Sequence, residues 1–144
     1  MPRFIQSGGK SPLTLATRAA AEITHGHISD WETSQVTNIS KLFNGWVDAN
    51  MRPLNDDISR WDTSHVTTRA WMFRSARAFN GDLSRWDTSK VTTMTGMFID
   101  ARTFNGDHSR WDTSSVTTMK YMFFHAHAFN GDLSLWGVSN ANIE

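Results

Sequence analysis

Apolar residues recur along this chain in fixed columns. One column reads Val36, Val66, Val91, Val116, a second Ile39, Arg69, Met94, Met119, a third Leu42, Met72, Met97, Met122 and a fourth Phe43, Phe73, Phe98, Phe123. Met94, Met97, Phe98 and Ala101 stand at i, i+3, i+4 and i+7, the spacing of one helix face. Thr92 or Thr93, just before them, is a candidate N-cap, because a hydroxyl can accept from the free N–H groups of a first turn. The pattern predicts a two-turn helix near 93–101, with counterparts near 68–76 and 118–126. Leu83-Ser84-Arg85-Trp86 reads as a short strand, followed by the turn-forming run Asp87-Thr88-Ser89. Leu83 and Trp86 are three apart, so plain alternation cannot bury both, and a bulge or corner is expected between them.

The columns belong to a repeat. Phe79-Asn80-Gly81-Asp82-Leu83-Ser84-Arg85-Trp86-Asp87-Thr88-Ser89 returns as Phe104 to Ser114 and again, in part, from Phe129 to Trp136. Trp61, Trp86, Trp111 and Trp136 are each 25 residues apart, and Trp31 precedes Trp61 by 30. A period of about 20–29 residues is that of a leucine-rich solenoid coil. The expected fold is therefore an α/β repeat solenoid, leucine-rich-repeat-like, with one short strand and one short helix per coil and buried columns of indole and phenyl rings. A lone unit buries too little apolar surface to fold, so neighbours must share faces. Residues 1–12 read as a flexible segment and 13–144 as one domain. Within it, 13–26 is a helical cap built on Leu15, Ala19 and Ile23 and stopped by Gly26. The coils run about 26–53, 54–78, 79–103 and 104–128, with a partial coil at 129–144. The last unit is truncated, which leaves a coil edge expected to invite association.

These residues resemble the BspA-like repeats of bacterial surface proteins, mycoplasma lipoproteins and many algal and protist proteins. The family unit is similar to W-D-T-S-x-V-T-x-M-x-x-M-F-x-x-A-x-x-F-N-x-D-[LI]-S. Trp86-Asp87-Thr88-Ser89, Val91-Thr92-Thr93-Met94, Met97-Phe98, Ala101, Phe104-Asn105, Asp107 and Ser109 carry the match, which covers roughly 15–140. Arg69 in the methionine column and His108 in the place of Leu83 and Leu133 depart from it. The resemblance implies a solenoid that binds other macromolecules and implies no catalytic activity.

Composition narrows the function classes. The apolar content of 39% and charged content of 19% suit one folded domain. Fourteen basic residues balance fourteen acidic ones, so bulk charge does not point to nucleic acid. Arg69, Arg74, Arg77 and Arg102 make one side modestly basic. The absence of cysteine excludes disulfides and thiolate metal sites. No apolar run approaches the roughly 18 residues of a membrane span, and the N-terminal residues lack an apolar signal core.

Candidate chemistry is sparse. His25 with His27, and His125 with His127, are two apart, but no third ligand recurs with them, and zinc takes three or four. The Asp57, Asp82, Asp107, Asp132 column reads either as a calcium ladder or as corner residues accepting backbone N–H groups, and the single carboxylate per coil favours corners. The Thr33, Thr63, Thr88, Thr113 column reads as turn and cap residues ahead of an ice-binding face. No nucleophile elbow, phosphate loop or zinc helix occurs. The expectation is a non-enzymatic protein-binding or scaffold module without cofactor or metal, its protein partner unknown. The alternatives are a permanent structural subunit of a larger assembly, or a module for ice, carbohydrate or metal. The partner-binding candidates are the large apolar residues on the flank of the expected helices and in the inserted loop: Trp46, Met51, Trp71, Ile99, Tyr121 and Phe124.

Overall fold

A computed structural model describes residues 22–45 and 54–137 of the chain. Successive repeats lie on one another in register. Isolated parallel bridges join Asn38 to Thr68, Thr68 to Thr93 and Thr93 to Thr118. Around them the Thr67 N–H reaches the Thr37 carbonyl, and Thr92 that of Thr67, each at 2.8 Å. The N-terminal side opens on a helical stretch at 22–25. Gly26 ends it at φ 78°, its N–H closing on the Glu22 carbonyl at 2.9 Å, an αL cap that suits glycine. A 3-10 turn, Ile28–Asp30, follows. Residues 15–21 of the expected cap helix lie outside the described residues.

The expected strand-plus-helix coil is overturned: among the described residues no coil contains an α-helix or a strand longer than a single bridge. The coils are not an α/β leucine-rich solenoid but a stack of consecutive turns. At the expected helix 93–101, Gly96 and Asp100 hold φ of 58° and 54°, and their counterparts Trp71, Ser75, Tyr121 and His125 lie between 55° and 60°. Two left-handed residues four apart break any right-handed helix. The N–H groups accordingly take two kinds of acceptor in alternation. Gly96, Phe98 and Asp100 donate to the carbonyls of Lys120, Met122 and Phe124 on the next coil, at 2.8 to 2.9 Å. Met97, Ile99 and Ala101 donate three residues back, to Met94, Gly96 and Phe98. The run turns inside its coil at every second residue and bonds to its neighbour at the others. Inward-facing residues thereby recur at a spacing that imitates a helix face.

The expected strand is also a turn. The Trp86 N–H bonds to the Leu83 carbonyl at 3.1 Å, so the chain reverses between two residues that are both buried. The same closure recurs at Trp61, Trp111 and Trp136. Carboxylates shape these corners. Asp57, Asp82, Asp107 and Asp132 accept the N–H of Ser59, Ser84, Ser109 and Ser134 at 2.8 to 3.0 Å. Asp62, Asp87 and Asp112 accept those of Ser64, Ser89 and Ser114. These are Asx turns, in which a short carboxylate mimics a backbone carbonyl. A parallel ladder of asparagines ties coil to coil, with Asn80, Asn105 and Asn130 each donating its N–H to the side chain of the asparagine one coil earlier.

The interior is an aromatic stack. Trp61 and Trp86 have ring centroids 6.3 Å apart and planes within 4°. Phe73, Phe98 and Phe123 repeat at 5.4 and 5.6 Å. Phe79, Phe104 and Phe129 form a second phenyl column, each ring 3.7 to 4.1 Å from its neighbour in the first. Trp61, Trp86 and Trp111 each donate the indole N–H to a carbonyl one coil earlier, at 2.9 to 3.1 Å, which satisfies the one polar atom of each buried ring.

The corner carboxylates make stability acid-sensitive. Hydrogen bonds from the serines hold Asp57, Asp62, Asp87, Asp107, Asp112 and Asp132 below their ordinary value of 3.8. Their folded values lie below the unfolded ones, so their contribution is present above the ordinary value and is lost as pH falls through the lowered folded values. The melting temperature is expected to fall below pH 3.8 as these groups protonate. Asp107→Asn should flatten that fall, and an unchanged slope in melting curves taken across the acid range would remove the corner carboxylates as its cause.

Candidate interaction surface

The first of the two left-handed positions in each coil holds Lys41, Trp71, Gly96 or Tyr121, and the lysine, tryptophan and tyrosine there are exposed. Only the glycine adopts this conformation freely; each of the others costs on the order of 1–2 kcal/mol. The strain recurs in every coil and belongs to the architecture. What distinguishes this column is the residues placed in it.

Trp71 lies across Gly96, where an added Cβ would stand 2.6 Å from the indole Cδ1 and 2.7 Å from Ile99 Cδ1. The glycine is the floor on which the indole and Ile99 meet. On the other side Lys41 Nζ sits 5.2 Å from the centre of the indole, a cation–π contact. Trp71 remains 36% exposed. In the same column, two coils after Trp71, Tyr121 is 56% exposed and packs edge-on against Phe124, 53% exposed, at 6.1 Å. Phe124 also touches the His125 ring at 4.1 Å. The structure therefore pairs Trp71 with Ile99, and Tyr121 with Phe124, on one face. Trp46 and Met51, the two candidates in the inserted loop, lie outside the described residues.

The rim of this face is cationic. Arg74 is exposed, and Arg77 and Arg102 flank Asp100 with Nε–oxygen distances of 2.9 and 2.7 Å. The Arg102 hydrogen bond, then that of Arg77, holds the Asp100 carboxyl below its ordinary range. Across 39–45, 68–79, 93–104 and 118–129, Asp100 is the one acidic residue against Lys41, Arg74, Arg77, Arg102 and Lys120, the guanidinium of Arg69 being turned into the core. The remaining half of each coil is the reverse. Residues 28–37, 54–67, 80–92, 105–117 and 130–137 hold ten acidic residues and four basic ones. The zero net charge conceals a basic aromatic side and an acidic corner side.

The other candidates resolve into packing. His27 Nε2 stands 3.3 Å from Asp56, and its Nδ1 accepts the Ser29 N–H at 3.3 Å. The His125 and His127 rings are 5.7 Å apart. Among the described residues no three His, Cys, Asp or Glu side chains converge on a metal position. Thr33, Thr63, Thr88 and Thr113 are buried, and Thr63 and Thr88 donate to the Asp87 and Asp112 carbonyls. Sequence reasoning set Arg69 on the basic side with Arg74, Arg77 and Arg102 and saw it as a break in the methionine column; the structure takes it off that surface. Its guanidinium is fully buried, 4.9 and 5.9 Å from the ring centres of Trp86 and Trp111. Nη2 donates to the Asp87 carbonyl at 2.6 Å, while Nε and Nη1 find no acceptor among the described residues. His108 fills a leucine position in the same way, edge-on to Trp111 and Trp136.

No helix among the described residues is long and apolar enough to cross a membrane. The model of a protein family described as "Mycoplasma protein of unknown function, DUF285" matches residues 46–143. No curated protein and no solved structure matches the chain.

Proposed function

The chain belongs to this Mycoplasma-type family, DUF285, and from that premise we propose that it is a non-enzymatic protein-binding module whose repeat is of the BspA-like kind. The observation that carries this reading is the face formed by Trp71, Ile99, Tyr121 and Phe124. Large apolar side chains gathered on a surface mark contact sites, and tryptophan, tyrosine and arginine dominate the energetics of protein interfaces. The core closes without Tyr121 and Phe124, so their exposure serves no internal packing.

Alanine at Trp71, Tyr121 and Phe124 together is expected to abolish capture of the partner from native extract, read by mass spectrometry against the parent chain. Exposed sites contribute little to stability, within about 0.5 kcal/mol each, so circular dichroism and melting should hold. A partner retained by the triple variant would retire this surface.

A second reading is a permanent subunit of a larger assembly, and it draws on the same exposed apolar face, which such an assembly would cover. Size exclusion of native extract separates the readings: a permanent subunit never elutes as a free 16.3 kDa species.

A further inference from the structure

We propose that the basic aromatic face takes an acidic polypeptide segment, one whose carboxylates flank apolar side chains. The inference rests on the protein-binding reading and names the partner's chemistry. Two observations meet in it. The first is the pair of apolar seats, the Trp71 indole bedded on Gly96 beside Ile99 and the Tyr121–Phe124 pair, separated along the stack by the coil repeat. The second is charge. Arg77 and Arg102 keep 62% and 52% of their side chains in solvent. Both draw on the same carboxylate, Asp100, itself only 15% exposed, so two guanidinium groups share a single internal counter-charge. Arg74 is exposed as well, in the column that holds Ile99 and Phe124. A guanidinium fork matches a carboxylate in two-point geometry, and complementary charge sets partner choice more than raw affinity.

The acidic side of the molecule is less suited to be the occupant of a second copy's basic face. Its corner carboxylates are engaged by serine N–H groups inside their own turns. A free acidic segment has no such commitment. An anionic polysaccharide would satisfy the arginines but offers no apolar side chain for the Tyr121–Phe124 seat.

The test uses the full chain and short fluorescent peptides that alternate Glu with Leu, Lys with Leu, or Glu with Ser, titrated by anisotropy. The Glu–Leu peptide is expected to bind about tenfold or more tighter than either other peptide. Its affinity should fall by about tenfold between about 50 and about 500 mM salt, as the shortened Debye length screens the rim. The double reversal Arg74→Glu, Arg102→Glu should invert the preference toward the Lys–Leu peptide, an outcome that unfolding cannot produce. Tyr121→Ala with Phe124→Ala should weaken both leucine-bearing peptides by about tenfold. Equal binding of the Glu–Leu and Lys–Leu peptides, both weakened by the alanine pair, overturns the acidic partner and leaves the surface reading standing. Binding that neither variant alters, or no binding at all, overturns the inference. So does alginate displacing the Glu–Leu peptide at lower concentration than the peptide itself. Salt-sensitive self-association of the chain, abolished by the arginine reversal, would assign the face to a second copy instead.

Discussion

Arg69→Met is expected to stabilise the fold by about 1–4 kcal/mol, the range seen when a buried ionic group gives way to an apolar side chain of similar volume. The magnitudes decide the sign. In its favour the guanidinium has one charged hydrogen bond, to the Asp87 carbonyl, worth about 1.5–3 kcal/mol. It also has contacts to the faces of Trp86 and Trp111, worth about 2 kcal/mol when desolvated. Against it stand the loss of hydration of a full charge, several kcal/mol, and two N–H-bearing nitrogens without acceptors among the described residues, each costing about 1–3 kcal/mol. Methionine already occupies the column at Met94 and Met119 with complete burial or nearly so. Differential scanning calorimetry would show the gain as a higher melting temperature; a lower one would mean that the guanidinium fills a space methionine cannot.

The same residue sets a signature at alkaline pH. Burial pushes the Arg69 guanidinium down to about 9, well below the ordinary arginine range, against the weaker opposing pull of Asp87. The folded chain therefore gives up this proton before the unfolded chain does. Below pH 9 both states carry the charge and the burial cost is present in full; above about 9, while the unfolded chain still holds the proton, this group makes stability rise with pH. Arg69→Met should lack that rise when the two proteins are compared by denaturant unfolding at matched pH.

Phe98→Ala should cost about 3–5 kcal/mol, the range for a large aromatic removed from a core. Phe98 sits at a crossing of both ring systems, 5.4 and 5.6 Å from Phe73 and Phe123 along its column, 3.8 Å from Phe104 within its coil and 6.4 Å from Trp111. It is completely buried, so the loss takes dispersion contacts from four rings and leaves a void between coils that cannot close without shifting their register. Against a typical total of about 5–15 kcal/mol, this substitution should lower the melting temperature by on the order of 10–20 °C. Tyr121→Ala, one coil on and exposed, is the control and should move it little. Equal losses at the two sites would mean that the surface aromatics are part of the core.

The two largest effects thus fall on residues that were unequally legible. Phe98 stands in a column with Phe43, Phe73 and Phe123, and a column of phenylalanines at constant spacing announces a shared interior. Arg69 looked like a lapse in its own column, because the sequence shows that an arginine replaces a methionine but not that it slides between two indoles. The helix expectation failed for a related reason. Met94, Met97, Phe98 and Ala101 do face inward, and their spacing is what a helix would show. Periodicity reports which side chains point one way; it does not report which carbonyl each N–H finds. The corrective signal was present in Gly96 and Gly45, which stand in two columns four residues apart, since glycine tolerates the left-handed conformation that both columns adopt. Lys41, Trp71 and Tyr121 in the first column, and Ser75, Asp100 and His125 in the second, masked it.

By itself, the run of amino acids determined the repeat length, the aromatic columns and the corner aspartates, because each is a matter of identical side chains at identical intervals. It also marked Trp71, Ile99, Tyr121 and Phe124 as departures from those intervals. Only the tertiary structure decided that every second N–H of the turn run is given to the neighbouring coil, so that turns replace helices. It alone separated Arg69, turned into the core, from Arg74, Arg77 and Arg102, which stay exposed. The physical reason is that hydrogen-bond partners and surface charge are settled between coils, across 25 residues of chain, where local propensity has no reach.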